Sequence, residues 1–254
     1  MEKFSVFVNN VDSLVWSMVL VVLCLGVGLY LSIRLKFPQI RLMKEMIHLL
    51  MDKEESESGI TPFQAFATTV GARVGMGNIA GVASAIFYGG PGSVFWMWMI
   101  AAIGAASAFV ESALGQAYKV KNPDGEFSGG PAYYIEKGFG ETGFAKAYGL
   151  LFAIVTVIAI GILLPGVQSN SIADAVKSSF GLSTTVTAVI LVVLTGIVVL
   201  GGIKRIGSAA EFIVPFMGGL YILMAVIIII VNIGQLPTVL AQIFKGAFKL
   251  DATF

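Results

Sequence analysis

Between Glu57 and Glu111 the chain carries a single formal charge, Arg73, and other uncharged runs cover 14–33, 178–203 and 212–244, with a fourth over 142–173 interrupted by Lys146 alone. An apolar run of about 18 residues or more is a candidate membrane helix, because about 20 residues rising about 1.5 Å each cover the hydrocarbon core. A soluble domain carries roughly 25% charged residues. Here the figure is 12%, beside 57% apolar residues and a mean hydropathy of +0.89, over 254 residues. The pattern identifies an all-α polytopic membrane protein.

Run length and punctuation place six spans, at 13–34, 62–88, 92–117, 145–173, 184–203 and 209–233. The first apolar run follows Asp12 and is long enough to stay as a span, so no cleavable signal is expected. Between the first two spans, Ile40, Met43, Ile47 and Leu50 recur at helical spacing beside Arg41, Lys44 and Glu45, the pattern of an interfacial amphipathic helix. "DKEESESG" after it is a solvated linker. With the N-terminus outside, eleven Lys and Arg fall on the inner side and four on the outer, a bias that favours this orientation in the cell's inner membrane. Trp96 and Trp98 are placed as an aromatic anchor near the outer interface. Asn122-Pro123-Asp124-Gly125 reads as the turn of a longer cytoplasmic loop, with Asp124 and Glu126 as solvated acids. Cys24 stands alone inside an apolar run and His48 alone in a basic juxtamembrane stretch, so neither a disulfide nor a metal site is expected.

Residues 72–83 read "ARVGMGNIAGVA". Gly75, Gly77 and Ala80 satisfy the G-x-G-x-x-A pattern of a dinucleotide loop, but that loop needs an acid about 20 residues further on and 91–110 contains none. Gly71, Gly75, Gly77 and Gly81 instead sit inside one spanning segment, where each weakens a helix by up to about 1 kcal/mol relative to alanine. Backbone that unwinds in hydrocarbon is tolerated only where it lines a cavity, so a break over 75–81 implies a buried site. The half-helix after such a break offers amides to an anion, and its unwound carbonyls can hold a cation. Asn78 is the polar side chain within the break. The other reading is a packing face of small residues at GxxxG-like spacing.

A second discontinuity, "ILLPGVQSNSIADA", brings Pro165-Gly166 and then Gln168, Ser169 and Asn170 into the fourth span. It is either a second wall of the site or an ordinary helix end at the outer interface. Arg73 costs about 2.5 to 3.5 kcal/mol at the bilayer centre unless paired or hydrated. Glu111 and Glu211 are the available partners, and the pair either gates the cytoplasmic side of the site or is purely structural.

"FQAFATTVGARVGMGNIAGVASAIFYGGPGSVFWMWM", "GEFSGGPAYYIEKG" and "LLPGVQSNSIADA", in this order, resemble the alanine/glycine:cation symporter family, and the similarity runs along the whole chain. The resemblance implies a LeuT-type fold of the APC superfamily, with an extra N-terminal helix followed by two inverted five-helix repeats. Residues 1–61 would hold the extra helix, the amphipathic helix and the linker, 62–233 the first repeat, and 234–254 the start of a connection to a second repeat that is missing. It implies sodium-coupled symport of alanine or glycine, with sodium as coupling ion and no other cofactor. Carried over position by position, Asn78 and the backbone of Gly75, Met76 and Gly77 correspond to substrate contacts, and Gln168 to a side chain that reaches the amino acid. By analogy with the wider fold, the carbonyls of Gly71 and Val74 correspond to half of a sodium site. Where the family commonly has threonine this chain has Met76, which removes a hydroxyl and narrows the pocket toward glycine and alanine.

Family members are much longer, and the second repeat supplies the other wall of the site. The expectation is therefore a symporter incomplete in this chain and completed by a second transporter half. The alternative is a non-transporting fragment or partner subunit. A channel would want a continuous polar stripe along several spans, and an enzyme a nucleophile with its base. Neither is visible in the sequence.

Overall fold

The computed structural model describes residues 2–15, 17–51, 60–123, 125 and 127–248. The acidic linker at 52–59, Asp124, Glu126 and the last stretch, 249–254, lie outside the described residues. Each long apolar run becomes helix. In chain order the elements are α1 (Glu2–Val15), α2 (Met18–Arg34), α3 (Pro38–Arg41), α4 (Met43–Leu50), α5 (Pro62–Arg73), a π-helical segment (Gly77–Gly81), α6 (Val82–Gly89) and α7 (Gly92–Ala117). A two-stranded antiparallel hairpin follows, β1 (Val120–Lys121) with β2 (Phe127–Ser128). Then come α8 (Pro131–Gly138), α9 (Gly143–Thr156), a second π-helical segment (Val157–Leu163), α10 (Leu164–Phe180), α11 (Thr184–Val199), α12 (Gly202–Val231), a 3-10 turn (Ile233–Gln235) and α13 (Leu236–Ala247).

Four helical stretches are long and apolar enough to cross a membrane: Ser5–Arg34, Gly92–Ala117, Gly143–Phe180 and Gly202–Val231. The pair Pro62–Arg73 and Gly77–Gly89, bent by 55°, makes a fifth if it counts as one span. The sixth expected span, 184–203, is the 16-residue helix α11. At about 1.5 Å per residue it is shorter than the hydrocarbon core. Gly201 and Gly202 end it early, because Gly202 takes φ +70°, a left-handed conformation that a side chain disfavours.

The helices meet through small residues, as membrane helices do when water cannot drive them together. Five of the seven buried apolar residues among those described are alanines, Ala67, Ala106, Ala145, Ala173 and Ala247, while most large aliphatic side chains point outward. A Cβ at Gly28 of α2 would lie 2.7 Å from Ile103 of α7, and one at Gly71 of α5 would lie 2.9 Å from Val214 of α12. The interfacial segment is two helices rather than one, interrupted at Leu42, with Ile40, Met43 and Ile47 exposed. Its α3 is pinned inward by Gln39, whose amide donates to Ser32 Oγ at 3.4 Å and to the Ala102 carbonyl at 3.3 Å.

One contact has no counterpart in the sequence reading. α13 lies across the start of α7, with the backbones of Gly92 and Gly246 in close approach, and the Trp96 indole N–H donates to the Ala247 carbonyl at 2.9 Å. Trp96 is therefore a packing residue between these helices as much as an interfacial anchor, whereas Trp98 remains half exposed.

Candidate functional site

The first half of the bent span starts from a strong helix signal. Thr61 caps α5, its hydroxyl accepting from the Gln64 amide at 3.2 Å while Gln64 Oε1 accepts from the Thr61 amide at 3.2 Å, with Pro62 at the first helical position. The helix stops at Arg73 because Val74 turns extended, with φ −98° and ψ 111°. The opening thus lies at Val74–Gly75, earlier than the 75–81 expected from the glycines. Residues 77–81 remain helical as a wide π turn, since nothing draws their amides away from the backbone.

What draws the preceding amides away is side-chain oxygen. The Gly75 N–H donates to Asn78 Oδ1 at 3.4 Å and the Met76 N–H to Gln168 Oε1 at 3.0 Å, so the Gly71 and Ala72 carbonyls lose the amides a continuous helix would give them. The Asn78 N–H bonds the Gly75 carbonyl at 3.1 Å, which deprives the Val74 carbonyl in the same way. Two consecutive amides and three released carbonyls therefore face the break. A Cβ at Gly75 would stand where the Gln168 side-chain amide lies, so a side chain there would push Gln168 off the Met76 amide. Gly77 has open space where its Cβ would stand.

Gln168 comes from α10, across 92 residues of sequence. Pro165 does not end that helix: the span runs on to Phe180, and the missing donor is absorbed by the π-helical segment just before it. The polar residues after Pro165 divide by partner. Ser169 Oγ donates back to the Pro165 carbonyl at 2.7 Å and Asn170 donates to Asp174 at 3.3 Å, so both are engaged within their own helix. Gln168 reaches the break.

On the cytoplasmic side of the break in the expected orientation, Arg73 shares a cleft of about 700 Å³ with Ser107 and Glu111 of α7 and Tyr134 of α8. Among the described residues neither Arg73 nor Glu111 makes an ion pair or a side-chain hydrogen bond. Glu211 is elsewhere, accepting from Gln64 Nε2 at 2.8 Å in the contact between α5 and α12. Burial, and secondarily the Glu111 carboxylate, raise the Tyr134 phenol above its ordinary 10.0. The sequence reading named Arg73 and Glu111 from the cost of their charge but not Tyr134 or Ser107, which join them only through the placement of α8 and the face of α7. No group of three or more His, Cys, Asp or Glu able to hold a metal occurs among the described residues.

The model of the sodium:alanine symporter family matches residues 1–254. The chain is 52% identical over 248 residues to a putative sodium/proton-dependent alanine carrier protein of Bacillus subtilis, covering 98% of this chain and 50% of that protein. It is 47% identical over 246 residues to a probable sodium/glutamine symporter of the same organism, covering 96% of this chain and 50% of the relative. A sodium/alanine symporter of Methanococcus maripaludis is 42% identical over 254 residues, covering 99% of this chain and 56% of its own length. The chain thus spans about half the length of the curated relatives it matches, and these three are named as carriers or symporters rather than enzymes.

Proposed function

The chain belongs to the sodium:alanine symporter family, and from that premise we propose that it forms the extra helix and first repeat of a LeuT-type sodium symporter for alanine or glycine. The observation that carries this reading is the pair of consecutive amides at Gly75 and Met76, each turned to a side-chain oxygen. Asn78 Oδ1 and Gln168 Oε1 stand where the two oxygens of an α-carboxylate would sit. An incoming amino acid displaces them, takes both N–H groups, and leaves Gln168 free to accept from the α-ammonium group. The Gly77 backbone completes the turn beneath the substrate, and the Met76 side chain limits its size.

The carbonyls of Gly71 and Val74, without their helical amides, supply half of the sodium site. Substrate and sodium then stabilise the same closed form of the break, each raising the other's affinity. Arg73 and Glu111, apart in this structure, close the cytoplasmic side of the site when they pair. Glu211 acts further off, by holding α5 to α12 through Gln64. The N-terminus is outside, in the cell's inner membrane. The facing wall of the site comes from a second transporter half, corresponding to the part of the relatives that this chain does not cover.

The test is uptake of labelled alanine and glycine by proteoliposomes holding this chain together with the uncovered half of the Bacillus subtilis alanine carrier. Accumulation driven by an inward sodium gradient, and absent with the chain alone, is the expected result. Uptake indifferent to sodium overturns the coupling. Gradient-driven uptake by the chain alone overturns the need for a second half.

A further inference from the structure

We propose a second amino-acid site on the cytoplasmic side of the break, where Arg73 takes the α-carboxylate and Glu111 the α-ammonium of a small zwitterion. The proposal rests on the reading of this chain as an amino-acid symporter. Arg73 and Glu111 line one cleft of about 700 Å³ and carry opposite charge, yet no ion pair joins them. Each charge is costly at membrane depth unless something answers it. A lone cation or a lone anion would answer one of the two. A zwitterion answers both.

The lining carries the groups such a ligand needs. Gly104, Ser107, Ala108 and Glu111 form one stripe of α7 at helical spacing, so small side chains leave room beside the carboxylate. The planar guanidinium presents a fork of donors that matches a carboxylate with two bonds. Ser107 and Tyr134, each with a hydroxyl, line the same cleft as the charged groups. Arg73 precedes Gly75 by two residues, so the cleft follows the Gly75 and Met76 amides along the chain of the bent span. The site is a staging point on the cytoplasmic route.

The test uses the chain in lipid nanodiscs together with a cysteine-free version of the uncovered half of the Bacillus subtilis alanine carrier, with Cys24→Ala so that Ser107→Cys supplies the single thiol, and follows its reaction with a small methanethiosulfonate reagent. Saturating alanine slows labelling about threefold or more, as expected when the occupied form outnumbers the empty one by about two to one. The protection persists with Gln168→Ala, which removes the partner of the Met76 amide, and is lost with Arg73→Gln and with Glu111→Gln. Propionate and ethylamine, each carrying one half of the charge pattern, protect weakly or not at all.

Protection that vanishes with Gln168→Ala, or that propionate or ethylamine reproduces, overturns the inner site. A parallel thiol, Met76→Cys, reports on the break itself. Protection at that thiol without protection at Ser107→Cys leaves amino-acid binding at the break standing and overturns only the inner site. Protection at neither thiol overturns both readings.

Discussion

Two spans of this chain carry a π-helical segment, Gly77–Gly81 in one and Val157–Leu163 in the other, yet the half-helices around the first meet at 55° while the second belongs to one unbroken stretch, Gly143–Phe180. Glycine and proline alone do not explain the difference. Pro165 removes one donor, and the wide turn before it absorbs the loss. At the first break two amides are held by side-chain oxygens, one of them from Gln168, three residues beyond Pro165. The straighter span therefore delivers the side chain that keeps the other one open. A helix in hydrocarbon breaks where something else satisfies its backbone, and sequence shows the weakness more readily than the partner.

The largest effect expected from this contrast is at Gly75. Gly75→Ala puts a Cβ where the Gln168 amide stands, which forces Gln168 off the Met76 amide and narrows the space the substrate takes, at a cost of about 1 to 3 kcal/mol in binding. Alanine affinity should fall about tenfold to a hundredfold. Gly166→Ala in α10 has open space around its Cβ and should stabilise that helix by up to about 1 kcal/mol. Binding of labelled alanine and thermal unfolding in detergent measure the two variants side by side. Equal losses in both would break the distinction between an open break and an absorbed one.

Next in size is Gln168→Ala. Removing the side chain takes from the bound amino acid the acceptor of its α-ammonium group, a hydrogen bond to a charge worth about 1.5 to 3 kcal/mol that outweighs the release of the Met76 amide, and should weaken alanine binding about tenfold. Ser169→Ala, one residue on, loses only a hydroxyl turned back to the Pro165 carbonyl and should stay within about twofold. Comparable defects in both variants would mean that the face of α10 acts as a whole rather than through one side chain.

The same contrast explains what could be read in advance. Run lengths and the 92–117 span were legible because lipid dictates composition residue by residue, and the helix Gly92–Ala117 occupies those positions. The break was visible as four glycines, but its position was not. It opens at Val74–Gly75 because Gln168 arrives there from 92 residues away. Arg73 and Glu111 could be singled out from the expense of a charge in an apolar run. Glu211 looked equally eligible until the fit of Gly71 against Val214 and of Gly207 against Ile60 set the register of α5 on α12, which gives that carboxylate to Gln64. α13 carries no motif, and the approach of Gly92 to Gly246 with the Trp96 bond to the Ala247 carbonyl shows where it belongs.

A smaller effect tests that anchorage of the inner half-helix. Gln64 serves both the cap of α5 and Glu211, so Glu211→Ala removes one of its two partnerships. The pair is exposed, which holds the expected loss to about 1 kcal/mol, seen as a few degrees in thermal unfolding. Alanine affinity should change little, since the break keeps its own partners. An affinity loss as large as that of Gln168→Ala would show that the inner half-helix and the break respond as one unit.

The smallest effect belongs to the cleft beside the bent span, which brings charged groups together where the cleft along the straighter span is lined by Ala153, Ile154, Val157 and Ile158. Tyr134 stands on α8, outside the spans, and its phenol titrates above 10.0 because burial disfavours the anion and the Glu111 carboxylate repels it. A raised phenol contributes stability that is fully present below its unfolded value and is lost as pH rises through its folded value, because the unfolded chain releases that proton more readily. Thermal unfolding should therefore weaken at alkaline pH, and Tyr134→Phe should lessen the alkaline loss. Glu111→Gln removes only the lesser cause and should lower the Tyr134 titration by less than full exposure would. The difference in phenolate absorbance between variants with and without Tyr134 reads that titration directly. A Tyr134 titration indifferent to Glu111→Gln would place the two groups out of each other's field, and the cleft beside the break would no longer bring Glu111 and Tyr134 to one ligand.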